Sequence, residues 1–312
     1  MSSWYLAHQI LIQSMFISLL LALSIQVPLR AGVFSFAGVG SYAIGAYTAA
    51  IITIRYQVPG IVAIAAGVVL AAVVGYLLAL LVARLGGLYL GMATISFALF
   101  LGVLATNGGD LTGGATGLYG AISTVTTEHL IVVTVVVVLL LAANERGVFG
   151  RRVDAMREDP QLAVSLGIDV VRARRTVFVV SGALGALAGG MNSLLRTTVS
   201  PETVGFHLVV TALTMIIVGG ALSWAGAAIG AVIFTWLATV LAFVGEWQLL
   251  VYGVLVAIAA VYVPTGLLGL LQLGWRRTRS RGRPPAQAAG AFGTPAEDDR
   301  SLSGLTTTKA RP

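Results

Sequence analysis

The chain has 312 residues, of which 57% are hydrophobic and only 10% charged, with a mean hydropathy of +0.94, whereas soluble domains carry roughly 25% charge; this excludes a soluble globular protein. It has no cysteine, its histidines (His8, His129, His207) are far apart in sequence, and its single lysine, Lys309, precedes Ala310, which leaves no thiol chemistry, no clustered metal motif and no Gly-Lys-Ser/Thr phosphate loop. The formal net charge of +7 comes from arginines gathered in a central polar stretch and after Trp275, the cytoplasmic bias of a membrane protein and not the footprint of a nucleic-acid binder.

Residues 4–29 form a first apolar stretch, too long and too poor in basic residues at its start for a cleaved signal, and are expected to stay as a span. Further apolar blocks run from Val33 to Ile54, Ile61 to Ala83, Leu88 to Thr106 and His129 to Ala143. Each is near the ~20 residues that cross about 30 Å of hydrocarbon, though the last is short. Between the fourth and fifth blocks lies Thr112 to Leu118, TGGATGL. Gly113, Gly114 and Gly117 permit turns closed to other residues and leave amides free to meet a carboxylate, so this stretch with Thr112 is expected to be an ordered external loop near a pathway; an ordinary turn is the alternative.

A long polar segment then interrupts the hydrophobic sequence from Phe149 to Arg175, FGRRVDAMREDPQLAVSLGIDVVRARR. Asp159 can cap a helix, Pro160 suits its first position, and Gly167 can take the left-handed conformation that ends it. The implied helix is about two turns long, with Leu162, Ala163 and Leu166 as its apolar face and Arg157, Glu158 and Asp159 at its entry. A short capped helix displayed on a loop reads as a docking element; a merely soluble connector is the alternative.

Apolar blocks resume from Thr176 to Leu195, Val204 to Leu222, Ala225 to Val244 and Leu249 to Val263. The expected architecture is an all-α integral membrane protein of about nine transmembrane helices, with residues 1–273 as one transmembrane domain and a polar loop at about 144–175. From 274 to 312 an arginine run gives way to Pro, Gly, Ala and Thr, which predicts a disordered basic tail. Placing the central loop in the cytoplasm puts Arg30 and Arg84 on that side, Arg55, Asp110, Glu128, Glu202 and Glu246 outside, the N-terminus outside and the tail inside, so that both arginine clusters agree. Small residues recur every fourth position at Ser41, Gly45 and Ala49, at Gly182, Ala186 and Gly190, at Gly185 and Gly189, and at Gly226 and Gly230, faces on which helix backbones approach closely in lipid.

Five segments, in order, resemble the permease subunits of branched-chain amino acid ABC importers of the LivM type: SFAGVGSYAIGAYTAA (Ser35 to Ala50), GLYLGMATISFA (Gly87 to Ala98), TGGATGL, REDPQLAVSLGI (Arg157 to Ile168), and SPETVGF (Ser200 to Phe206) with MIIVGGALSWAGAAIGA (Met215 to Ala231). The fourth is similar to the cytoplasmic loop with which such permeases dock on their ATPase, although Gln161 and Leu162 replace its acid and first alanine, and Gly38 stands where a polar residue is common. The resemblance implies an ABC importer permease fold in a bacterial plasma membrane, forming half of a pathway for branched-chain or other hydrophobic amino acids. It further implies a homologous second permease subunit, two ATP-binding subunits that use ATP and Mg²⁺, and an extracytoplasmic solute-binding protein, with no cofactor and no enzymatic step in this chain. A permease for urea or short amides is an alternative, as is an ion-coupled secondary transporter. The latter places ionisable groups at membrane depth at about 2.5–3.5 kcal/mol per central charge, whereas here the charged residues fall at span ends, in loops or in the tail.

Overall fold

The computed structural model describes residues 3–241 and residues 247, 251, 253 and 254. The last expected span, 249–263, and the tail lie outside these residues apart from positions 251, 253 and 254. Among the described residues six helices are long and apolar enough to cross a membrane: α1 (Ser3–Arg30, taken from His8), α2 (Ala37–Tyr56), α3 (Gly60–Leu81), α4 (Gly87–Asn107), α5 (Thr127–Arg146) and α8 (Val170–Arg196). Two shorter helices, α6 (Val148–Glu158) and α7 (Pro160–Ser165), occupy the polar segment. The chain is an all-α, multi-pass membrane protein, with one two-stranded patch where β1 (Leu118–Tyr119) pairs antiparallel with β2 (Thr198–Val199).

Local sequence accounts for the helix ends. α1 closes in a Schellman motif, Val33 N donating to Pro28 O at 2.9 Å and Gly32 N to Leu29 O at 3.1 Å, with Gly32 at φ +72°. α5 opens on a capping box in which the Thr126 and His129 side chains serve each other's backbone amides.

The seventh and eighth expected spans are found as a sharply bent pair of helices. α9 (Phe206–Gly219) and α10 (Trp224–Leu241) meet at 118°, as a broken span or a re-entrant pair. At 1.5 Å per residue the 14 residues of α9 reach only about 21 Å, short of the hydrocarbon thickness. The break lies at Gly220, φ 112° and ψ 123°, a conformation open to glycine. The expected boundary between Leu222 and Ala225 falls close to this point, but hydropathy does not show the angle, because it counts apolar side chains and is blind to the backbone.

α2 and α8 form the centre of the bundle and are mostly buried, whereas α5 is mostly exposed. Glycine makes that possible. A Cβ on Gly185 would stand 2.8 Å from the carbonyl carbon of Gly38, one on Gly189 the same distance from that of Tyr42, and one on Gly182 2.9 Å from Ala71 O. Cβ atoms on Gly45 and Gly190 would likewise meet, respectively, the backbone of Ala186 and the side chain of Ile64. The expected small-residue face of α8 is therefore a contact between backbones, with Ala186 fully buried within it. Gly226 and Gly230 play the same part between α10 and α9, where a Cβ on Gly226 would lie 3.0 Å from Gly219 O. α5 turns Val132, Val135, Val136, Leu139 and Leu140 outward, a surface suited to lipid.

Candidate functional site

α7 has the geometry its sequence implies. Asp159 Oδ1 accepts from Gln161 N at 2.8 Å and Leu162 N at 3.1 Å, and Pro160 occupies the first turn. The helix ends in a second Schellman motif, Ile168 N donating to Ala163 O at 3.0 Å and Gly167 N to Val164 O at 2.9 Å, with Gly167 at φ +80°. Length and exit direction are thus fixed at both ends. Arg157 and Glu158 belong to the last turn of α6 rather than to α7.

The expected apolar face needs correction. Ala163 is fully buried, while Leu162, Val164 and Leu166 are 58%, 61% and 67% exposed. A two-turn helix has one supporting side, and its smallest apolar residue takes it. Ala163 sits in a core made with Val153 and Met156 of α6, Val177 and Phe178 of α8, and Ala31 and Val33 of the α1–α2 turn. Leu162 and Leu166, about 40° apart around the helix, are left as the outward apolar pair.

Sequence reasoning missed α6, although its signal was present: Gly150, Val153 and Met156, all buried, recur every third residue. The intervening arginines disguised it as loop. Gly150 lets α6 turn tightly under α5, since a Cβ there would stand 2.7 Å from Asn144 O. α6 also carries Arg157, which lies over Gly32.

A charge network missed by sequence reasoning joins this platform to the helix ends. Arg30 Nη1 lies 2.8 Å from Glu145 Oε1, and Arg30 Nε lies 3.4 Å from Asp154 Oδ1. The same Glu145 oxygen accepts from Gln26 Nε2 at 3.3 Å and from the Trp224 amide at 2.9 Å. A cavity of about 50 Å³ opens beside it, lined by Gln26, Arg30, Glu145, Phe149 and Val153 among others. A larger groove of about 340 Å³ lies between Phe149, Arg152, Leu166, Gly167, Asp169 and Arg172. There Asp169 caps α8 through Arg172 N at 2.9 Å; its 3.5 Å ion pair with Arg172 is exposed and contributes little.

The glycine loop lies at the other end of the bundle, where α2, α4 and α8 finish; the platform lies where α1, α3, α5 and α9 finish. Gly113, Gly114 and Gly117 have φ of +74°, +58° and +79°, so the loop does use conformations closed to other residues. Thr116 Oγ1 donates to Gly113 O at 2.8 Å, and Arg55 Nη2 to Asp110 O at 2.8 Å. A Cβ on Gly117 would stand 2.9 Å from Ser200 Cα, and β1 pairs with β2, so TGGATGL and SPETVGF meet. Thr112 is half-buried beside Gly108. No cluster of three or more potential metal-ligating side chains occurs among the described residues.

The family model described as branched-chain amino acid transport system / permease component matches residues 6–260. The chain is similar to the high-affinity branched-chain amino acid transport system permease protein LivM of Escherichia coli (strain K12), 27% identical over 263 residues, which covers 73% of this chain and 62% of that protein. The LivM protein of Salmonella typhimurium matches with the same figures. A probable branched-chain amino acid transport permease protein, LivH of Methanocaldococcus jannaschii, is 38% identical over 82 residues, 26% of this chain and 25% of that one. The match thus spans about 62% of the length of the LivM relatives. No solved structure matches the chain.

Proposed function

The chain belongs to the family of permease components of branched-chain amino acid transport systems, and from that premise we propose that it is the membrane-embedded permease subunit of an ABC importer. It forms half of a pathway for branched-chain or other hydrophobic amino acids, beside a homologous second permease. Of the two ATP-binding subunits one docks on α7 of this chain and the other on the second permease, and an extracytoplasmic binding protein delivers solute to the opposite end. The observation that carries this reading is α7 itself: a helix locked by Asp159 and Gly167, seated by Ala163, and offering Leu162 and Leu166 outward. Such an element suits insertion into an apolar groove on a partner. ATP hydrolysis is assigned to the partners, since the chain has no Gly-Lys-Ser/Thr loop. The placement of charge favours this reading over ion-coupled transport: Arg30, Glu145 and Arg196 all stand in the last turns of their helices.

The proposed orientation has α6, α7 and the arginine-rich segment in the cytoplasm and the N-terminus outside. Because the chain contains no cysteine, Ser165→Cys gives a single exposed reporter. It is expected to resist impermeant maleimide in intact cells and to react in inverted vesicles; reaction from outside would sink the orientation. Uptake of leucine into proteoliposomes holding both permeases, the ATPase subunits and the binding protein is expected to require ATP inside the cytoplasmic compartment. Uptake driven by an ion gradient without ATP would overturn the importer reading.

A further inference from the structure

α10 and the α6–α7 segment are separated by a long stretch of sequence, yet they share a buried joint at Glu145. One carboxylate oxygen, Oε1, receives Arg30 Nη1 from α1 at 2.8 Å, Gln26 Nε2 from α1 at 3.3 Å, and the first amide of α10, Trp224 N, at 2.9 Å. The Arg30 and Glu145 side chains are only 13% and 17% exposed, so salt screens the pair weakly. The carboxylate therefore lies between two positive sources, a guanidinium and a helix N-terminus whose unpaired amides carry partial positive charge. Ser223 Oγ takes the next amide, Ala225 N, at 3.2 Å, so the start of α10 is held by Ser223 and Glu145 together. On its other edges Arg30 meets Asp154 of α6 at 3.4 Å and the Glu145 carbonyl at 3.4 Å. One turn past Asp154, Arg157 lies over Gly32, and Glu158 leads directly into Asp159 and α7.

We propose that Glu145 is a positioning residue of the transport cycle: it ties the α6–α7 segment to the start of α10, so that displacement of α7 is delivered to the α9–α10 turn. The proposal rests on the coupling reading above for what moves α7. A joint transmits displacement only where it is stiffer than its surroundings. Convergence of a guanidinium, a side-chain amide and a helix N-terminus on one oxygen supplies that stiffness at the place where α10 begins.

The test uses the full chain with Ser165→Cys on α7 and Val232→Cys on α10, spin-labelled and placed in nanodiscs, with and without Glu145→Gln. Gln can still accept from Trp224 N but brings no charge to Arg30. Expected in Glu145→Gln is a broader distribution of label–label distances. In the assembled importer the same variant, unlabelled, is expected to lower solute uptake per ATP hydrolysed several-fold while ATP hydrolysis and co-purification of the ATPase subunits persist. Arg30→Gln combined with Glu145→Gln is expected to add nothing further, because the two act as one unit. A distance distribution identical to that of the native chain, or uptake and hydrolysis falling in proportion, overturns the proposal. Failure of the native chain to retain ATPase subunits would instead sink the coupling reading, and the label measurement, which needs no partner, would still decide the joint.

Discussion

Arg157 lies across Gly32, with its Cα and Cγ each 3.2 Å from the place a Cβ on Gly32 would take. Two demands meet at that glycine: φ of +72°, which ends α1, and closeness to α6, which brings the polar segment down onto the helix ends. Gly32→Val is expected to fail both, at about 1–3 kcal/mol for the backbone conformation alone. The substitution lies outside the crossing segments, so insertion should survive it. Faster proteolytic cleavage between 144 and 175 in membranes is the expected result, and native protection would show that Gly32 does not hold the platform.

The crossing of α2 and α8 makes a second contrast measurable. Gly185→Leu must drive a side chain into the backbone of Gly38, whose Cα would lie 3.0 Å from the new Cβ. Overpacking of this kind costs about 1–3 kcal/mol even where side chains can yield, and here backbone would have to move. Gly86→Ala meets nothing within 4 Å and should change stability by no more than about 0.5 kcal/mol. Thermal unfolding in detergent is expected to separate the two by many degrees; similar midpoints would contradict a backbone-to-backbone crossing.

In the glycine loop the structure ranks substitutions that the sequence left equal. A Cβ on Gly113 would come within 2.5 Å of the Gly117 carbonyl carbon, whereas one on Gly114 finds only Thr106 O at 3.6 Å. Both positions carry positive φ, so both variants are strained, but Gly113→Val must also break the turn. Lower uptake is expected from each, more from Gly113→Val, with normal membrane levels and ATPase co-purification. Unchanged uptake in both would reduce the loop to an ordinary turn.

How much was legible follows from which physical signal each feature carries. The six crossing helices and the caps of α7 are written locally: apolar runs of span length, and Asp159-Pro160 followed by Gly167. The small-residue face of α8 was equally open, since Gly182, Gly185, Ala186, Gly189 and Gly190 all fall within nine residues. The boundary between α9 and α10 was open too, between Leu222 and Ala225, but their 118° angle was not, because hydrophobicity says nothing of how two helices meet. Periodicity groups Ala163 with Leu162 and Leu166 because it shows which residues share a side, and only the packing of Val153, Met156 and Phe178 shows which side is covered. The Glu145 joint was beyond reach for another reason. Its partners Gln26 and Trp224 stand 119 and 79 residues away, and no local pattern records such a pairing.

The inward placement of Ala163 turns the coupling proposal into a set of separable tests. Leu162→Asp puts a charge on the outward side of α7, where Leu162 is 58% exposed, so the chain should insert and fold while ATPase co-purification falls. Ala163→Asp places the charge in a sealed core at 0% exposure; burying it without a partner costs several kcal/mol, and α7 should detach from its platform. Gly167→Val meets no neighbour within 4 Å, so its whole effect is the left-handed φ of +80°, about 1–3 kcal/mol, which redirects the exit of the chain from α7. Asp159→Ala leaves the Gln161 and Leu162 amides without their acceptor and should cost roughly 0.5–2 kcal/mol of local helix stability. Protease protection of residues 144–175 reads seating on the platform, and co-purification with solute-stimulated ATP hydrolysis reads docking. Ala163→Asp is expected to lose both, Leu162→Asp the second alone, and Gly167→Val more of the stimulation than Asp159→Ala. If Leu162→Asp and Gly167→Val both retain native co-purification and stimulation, α7 is a connector and the ATPase subunits dock elsewhere.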